Sequence, residues 1–148
     1  MTAEFVADNC LSETVFLNQT GIELKRAERY HIFVSLIAID LETIFSGLGK
    51  NEPSLSCLCS RIRESVRASD NFAMVGEHCL AMLFPETPRQ GAEATGRRIA
   101  EMIKSEMETR TGSQIDGVIP VEMASYPDTA GALTIADMIE TLQTKTSN

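Results

Sequence analysis

Asp40 closes the apolar run Ile32-Phe33-Val34-Ser35-Leu36-Ile37-Ala38-Ile39, and the turn Gly76-Glu77-His78-Cys79-Leu80 separates two further apolar segments. A carboxylate at the mouth of a buried strand and a glycine-bearing turn are parts from which a phosphate and metal site can be built. Backbone N–H groups approach phosphate where no Cβ intervenes, and hard carboxylate oxygens hold a divalent ion that activates a hydroxyl. This turn offers one glycine and one glutamate, followed by an imidazole and a thiol, which are softer ligands better suited to zinc. Arg67-Ala68-Ser69-Asp70 sets a guanidinium fork beside a carboxylate. Taken alone it reads as a solvated ion pair at a helix end, worth little stability. Arg97 and Arg98, by type alone, read as surface arginines of a helix.

The elements that must position these groups follow from apolar spacing and from breakers. Over 12–30, Val15, Phe16, Gln19, Ile22, Ala27 and Tyr30 fall amid Glu23, Lys25, Arg26, Glu28 and Arg29, which predicts a leading helix behind an N-terminal tail, together spanning about 1–30. Residues 32–39 are almost continuously apolar, as a central strand covered on both faces should be. Gly47, Gly49, Asn51 and Pro53 mark a loop. Leu55, Leu58, Ile62 and Val66 then repeat at helical spacing, with Ser54 as cap and a stop near Ala68. Residues 72–75 and 80–84 predict a β-hairpin around 76–78. Pro88 opens a helix with Ala92, Ile99, Met102, Ile103 and Met107 on one side and Glu93, Arg97, Glu101 and Lys104 toward water, and Gly112 closes it. Residues 118–124 alternate weakly as a strand, Tyr126-Pro127-Asp128 turns, and Thr134 caps a terminal helix to Leu142.

A chain of 148 residues, 43% of them hydrophobic, suits one compact domain over 1–148. The net charge of -8 argues against a nucleic-acid partner, because binding a polyphosphate backbone needs unopposed Lys and Arg; a small anion held by a few arginines is compatible with it. No apolar run reaches the roughly 18 residues of a membrane span, and the start is acidic instead of basic-then-apolar, so the expected location is cytoplasmic. Cys10, Cys57, Cys59 and Cys79 follow no zinc-ribbon spacing and read as buried thiols. The methionines at 74, 82, 102, 107, 123 and 138 read as core packing.

The run 63–87, RESVRASDNFAMVGEHCLAMLFPET, resembles the core of the GGDEF (diguanylate cyclase) family, in which a Gly-Gly-Asp/Glu-Glu-Phe hairpin holds GTP and metal. The resemblance continues through Ala27-Glu28-Arg29-Tyr30, Asp40, Arg97-Arg98-Ile99-Ala100-Glu101, Ala124-Ser125-Tyr126-Pro127 and Ala136-Asp137-Met138. It implies an α+β fold, a ferredoxin-like nucleotide-cyclase palm with a mostly antiparallel central sheet flanked by helices. In the family, an Asp matched by Asp40 and an acidic hairpin residue bind two divalent ions that activate a GTP 3′-hydroxyl, and two loaded subunits condense head to tail. Here the signature turn is Gly76, Glu77, His78, Cys79 and Leu80, with His78 and Cys79 in place of the carboxylates, so Asp40 is vestigial. The stretch after Asp40 lacks the family's guanine-reading Asn and Asp and is about five residues short. The resemblance thus implies a catalytically inactive member with no required cofactor. Asp40, His78 and Cys79 converge in the family fold as a soft-metal trio, but a fourth ligand is lacking, and no metal is assigned.

Many cyclases of this family bind their product, cyclic di-GMP, at an inhibitory Arg-x-x-Asp motif just upstream of the hairpin, and Arg67 to Asp70 stand at that spacing before Gly76. The resemblance implies that Arg67 forks onto phosphate or the guanine Hoogsteen edge, that Asp70 accepts from guanine N1 and N2, and that Arg98 adds a second guanidinium. The expected function is a cyclic di-GMP receptor that signals to a protein effector or to a second copy of itself. The alternative is an interaction or dimerisation module of the same fold that binds no nucleotide.

Overall fold

The computed structural model describes residues 5–7, 10–42, 44, 55–112, 114–115, 117–127 and 134–146. In chain order its elements are β1 (Phe5–Ala7), β2 (Cys10–Leu11), α1 (Glu13–Tyr30), β3 (Val34–Asp40), α2 (Leu55–Ser65), β4 (Asn71–Val75), β5 (Cys79–Pro85), α3 (Arg89–Thr111), β6 (Val121–Tyr126) and α4 (Ile135–Thr146). The main sheet has the order β4-β5-β3-β6, and every neighbouring pair is antiparallel. This is the α+β arrangement expected from the sequence.

Alternation along β3 divides its side chains between two apolar layers. Ile37 and Ile39, with Leu80, Met82 and Phe84 of β5, pack against Ile62 of α2 and Ile99, Ile103 and Met107 of α3. Val34 and Leu36, with Val75, Ala81 and Leu83, meet Phe16 and Ala27 of α1 and Met138 and Leu142 of α4. Being covered on both faces is what makes the strand read as one unbroken apolar run. α3 lies so close to β3 that a Cβ at Gly96 would stand 2.6 Å from Ile37 Cδ1.

Two helix ends match the sequence signals, the close of α3 at Gly112 and the start of α4 at Thr134. Ser12 Oγ accepts from Val15 N at 3.2 Å, and Gly112 takes the left-handed cap after α3. Thr134 Oγ1 accepts from Asp137 N at 3.0 Å while Asp137 Oδ2 accepts from Thr134 N at 3.3 Å, a reciprocal box that starts α4. The proposed Ser54 cap, Cys57 beyond its backbone, and Asp128 lie outside the described residues.

Several boundaries differ from the sequence expectation. The tail before α1 contains the antiparallel ribbon β1–β2, which pairs Phe5 with Leu11 and Ala7 with Cys10. β3 starts at Val34, two residues late. α2 stops at Ser65, short of Ala68, because Asp70 Oδ2 takes the Arg67 N–H at 2.9 Å and Asp70 N donates to Arg67 O at 3.0 Å, closing a turn instead of another helical step. β6 starts at Val121 and runs to Tyr126, while Val118 is 82% exposed and outside the ladder. α4 continues four residues past Leu142.

Candidate functional site

The β4–β5 turn places Gly76 at φ 67, in the left-handed region that favours glycine. Asp40 lies opposite Cys79 in the β3–β5 register, and Leu41 N donates to His78 O at 2.8 Å, so the end of β3 and the turn form one mouth. Asp40 Oδ1 accepts from Glu42 N at 2.9 Å, bending the chain away from the sheet. An open cleft of about 370 Å3 lies here, lined by Asp40, Glu42, Gly76, Glu77, His78, Cys79 and Lys145 among others. The structure therefore brings Asp40 and the signature turn together, while Leu80 points into the α2–α3 core.

The donor set fits poorly with a pair of hard divalent ions. Burial pushes the Cys79 thiol up from 9.0 to about 11; Lys145 offsets part of this, and the charges of Asp40 and Glu122 add to it. The thiol is accordingly protonated at neutral pH and is no ligand in that state. Among the described residues, no group of three or more His, Cys, Asp and Glu side chains is arranged to hold a metal ion. The turn is also occupied by the chain itself. Gly76 N donates to Glu13 Oε1 at 3.2 Å, and a Cβ on Gly76 would lie 3.5 Å from both Cβ and O of Lys145. The first turn of α1 and the last turn of α4 thus close on Gly76, whose N–H is taken by Glu13.

A second cleft, of about 320 Å3, opens where α2 ends, β5 ends and α3 begins, and Arg67, Asp70 and Arg98 all line it. Asp70 is turned inward, its side chain 3% exposed against 56% for Arg67. Its Oδ2 accepts from Arg67 N at 2.9 Å and from Nε at 3.5 Å, and its Oδ1 accepts from Nη2 at 3.1 Å. Arg67 Nη2 also donates to Pro85 O at 2.9 Å and to Thr87 Oγ1. Across the cleft, Arg98 Nη2 donates to Ser65 O at 2.9 Å. The Nη1 donors of Arg67 and the Nε and Nη1 donors of Arg98 make no hydrogen bond among the described residues.

Sequence reasoning named the three cleft residues but missed the groups that hold them or close the turn. Thr87 follows a strand end with no helical or strand period, Glu13 reads only as a first-turn acid, and Lys145 lies past the expected end of α4. Glu86, also on the cleft wall, was missed as well; its φ of 53 is unusual for a residue with a side chain and has no sequence signature. Cys59 and Cys79 are buried and form no disulfide, in keeping with the sequence reading of buried thiols. Among the described residues no helix is long and apolar enough to cross a membrane.

Solved structures share this architecture. The GGDEF domain of DgcB from Caulobacter crescentus, in complex with c-di-GMP, superposes with a TM-score of 0.70 at 19% identity, covering 97% of this chain and 88% of that one. The GGDEF domain of FimX from Pseudomonas aeruginosa gives 0.67 at 15% identity, covering 99% and 93%. The GGDEF domain of YfiN (TpbB) from Pseudomonas aeruginosa gives 0.59 at 23% identity, covering 90% and 80%. No family model and no curated protein matches the chain. At these identities the likeness establishes the fold, which is that of GGDEF domains.

Proposed function

We propose that this GGDEF-fold domain is a cyclic di-GMP receptor without diguanylate cyclase activity, and that it takes the ligand in the cleft of Arg67, Asp70 and Arg98. The observation that carries the reading is the convergence of Arg67 and Arg98 on one open cleft, with Arg67 held in place by a buried carboxylate. A cyclic dinucleotide presents two phosphodiester charges and two guanine edges, and the outward N–H donors of the two guanidinium groups suit both. A guanidinium fixed before binding loses less freedom on binding than a free one. The cleft volume lies near the lower end of the roughly 300–1,000 Å3 usual for ligand pockets, enough for one nucleotide half. The other half is then left to a second copy or to a protein effector. The DgcB domain of the same fold, in complex with c-di-GMP, lends the ligand choice support.

Absence of cyclase activity is supported by the turn. His78 and Cys79 supply no carboxylate, the Cys79 thiol stays protonated, and Glu13 engages the Gly76 N–H. The engagement of Asp70 by Arg67 favours a second reading in which the pair is only a structural clasp, and the domain is an interaction module that binds no nucleotide. Incubation with GTP and Mg2+ or Mn2+, followed by sedimentation with added cyclic di-GMP, separates the readings. The receptor reading expects no product from GTP and a saturable complex with cyclic di-GMP. Silence in both arms would leave the interaction module.

A further inference from the structure

Ser35 is the one polar residue between Val34 and Ile39 of β3. It is 0% exposed and, by alternation with Ile37 and Ile39, belongs to the layer that faces α3. A hydroxyl buried among apolar side chains costs stability unless it is hydrogen-bonded. Ser35 Oγ has two partners, Thr87 O at 2.8 Å and, directly across the β3–β6 ladder, the Oγ of buried Ser125 at 2.8 Å. The two contacts fix where the protons lie. A serine hydroxyl has one proton and a carbonyl oxygen can only accept, so Ser35 donates to Thr87 and Ser125 donates to Ser35.

Thr87 is where this buried pair meets the Arg67 cleft, whose wall it helps to form. Its Oγ1 donates to Pro85 O at 2.9 Å, which leaves the oxygen's lone pairs to accept from Arg67 Nη2. Its methyl lies against the first turn of α3, the helix that carries Arg98: a Cβ on Gly91 would stand 3.3 Å from Thr87 Cγ2. Thr87 belongs to no regular element, because β5 ends at Pro85 and α3 starts at Arg89. The bond from Ser35 to its carbonyl ties it to the central strand. We infer that Ser35 is a positioning residue for the cleft: by holding Thr87 it fixes one of the acceptors that aim the Arg67 guanidinium, and so links the packed centre of the sheet to the arginine that faces the ligand. The effect on ligand affinity rests on the receptor reading of the cleft; the tether between Ser35 and Thr87 does not.

The test compares the whole chain as wild type, Ser35→Ala, Ser125→Ala, Thr87→Val and the Ser35→Ala, Thr87→Val double variant. Each is titrated calorimetrically with cyclic di-GMP and, without ligand, followed by amide hydrogen exchange over 86–92, with folding checked by thermal melting. Ser35→Ala should weaken cyclic di-GMP about two- to tenfold, the span that a neutral hydrogen bond is worth, and should speed exchange over 86–92. Ser125→Ala leaves the bond from Ser35 to Thr87 in place and should change neither. Thr87→Val keeps a methyl against Gly91 and loses the contact with Arg67, so in that background Ser35→Ala should cost little further affinity, as expected of residues that act in series. Should Ser35→Ala not fold, Ser35→Cys, of similar shape and a weaker donor, carries the same expectations. The inference is overturned if folded Ser35→Ala keeps wild-type affinity or wild-type exchange, if Ser125→Ala weakens binding as much, or if Ser35→Ala costs as much affinity in the Thr87→Val background as in wild type. Wild type that binds no cyclic di-GMP refutes the receptor reading; exchange over 86–92 then decides the tether by itself, faster in Ser35→Ala if Ser35 holds Thr87 and unchanged if it does not.

Discussion

Asp70 lies beneath Arg67 and accepts from both its backbone and its guanidinium, while the same guanidinium reaches Pro85 and Thr87. The contact ties the turn after α2 to the end of β5. Replacing Asp70 with alanine removes an acceptor from a mostly buried position and should lower stability by about 1–3 kcal/mol. The lower half of that range is favoured because Arg67 is 56% exposed and its ionic attraction is screened. Urea unfolding should show an earlier midpoint; an unchanged midpoint would mean that the clasp is ornamental.

The donor set of the turn, with His78 and Cys79 in place of carboxylates, predicts that purified protein makes no cyclic di-GMP from GTP with Mg2+ or Mn2+. Product measured by chromatography, and lost on Asp40→Ala, would overturn the inactive reading. A double change restoring acidic residues, His78→Asp with Cys79→Glu, should also fail to restore activity, because Glu13 still holds the Gly76 N–H.

Gly96 and Ile37 are coupled by space. A methyl at 96 would meet Ile37 Cδ1 at 2.6 Å, so Gly96→Ala should cost about 1–3 kcal/mol of overpacking, against about 1 kcal/mol gained in helix propensity. Ile37→Val deletes that terminal carbon. In the valine background, Gly96→Ala should be more favourable by at least about 1 kcal/mol than in wild type. Equal effects in the two backgrounds, measured by chemical denaturation, would show that the contact is relieved elsewhere.

Cys79 predicts a stability loss in alkali. Its thiol titrates at about 11 in the folded chain against 9.0 when exposed, because burial disfavours the thiolate. A raised pKa stabilises the fold fully below pH 9 and loses that contribution as pH rises from 9 to 11, of order 2–3 kcal/mol in all. Cys79→Ala should therefore flatten the fall in stability between pH 9 and 11. The native thiol should resist alkylation at pH 8 and react once unfolded; rapid labelling of folded protein would contradict the burial.

The elements that position both clefts were largely legible in the sequence, for local reasons. Gly112 and Thr134 mark helix ends through signals that depend on a few neighbouring residues, and the two-sided burial of β3 is written in its unbroken apolar run. The ribbon β1–β2 is too short to carry a period. The roles of Asp70, Glu13 and Lys145 depend on partners brought in from elsewhere in the fold: the end of β5 returns over the turn after α2, and α1 and α4 meet at Gly76. Nothing in a window around Asp70 says how deeply its carboxylate is buried; the ion pair with Arg67, which the motif taken alone suggests, is present, with the Asp70 side chain 3% exposed.

The receptor reading is tested most directly by calorimetric titration of cyclic di-GMP into wild type and Arg67→Ala, with folding of each checked by thermal melting. Arg67 is assigned the dominant ligand contact through its Nη1 donors, and loss of a hydrogen bond to a charged group typically removes on the order of 1.5–3 kcal/mol. Saturable binding by wild type, weakened at least tenfold in folded Arg67→Ala, is the predicted result. Wild type that gives no heat at high ligand concentration, or folded Arg67→Ala that binds as tightly as wild type, would contradict it.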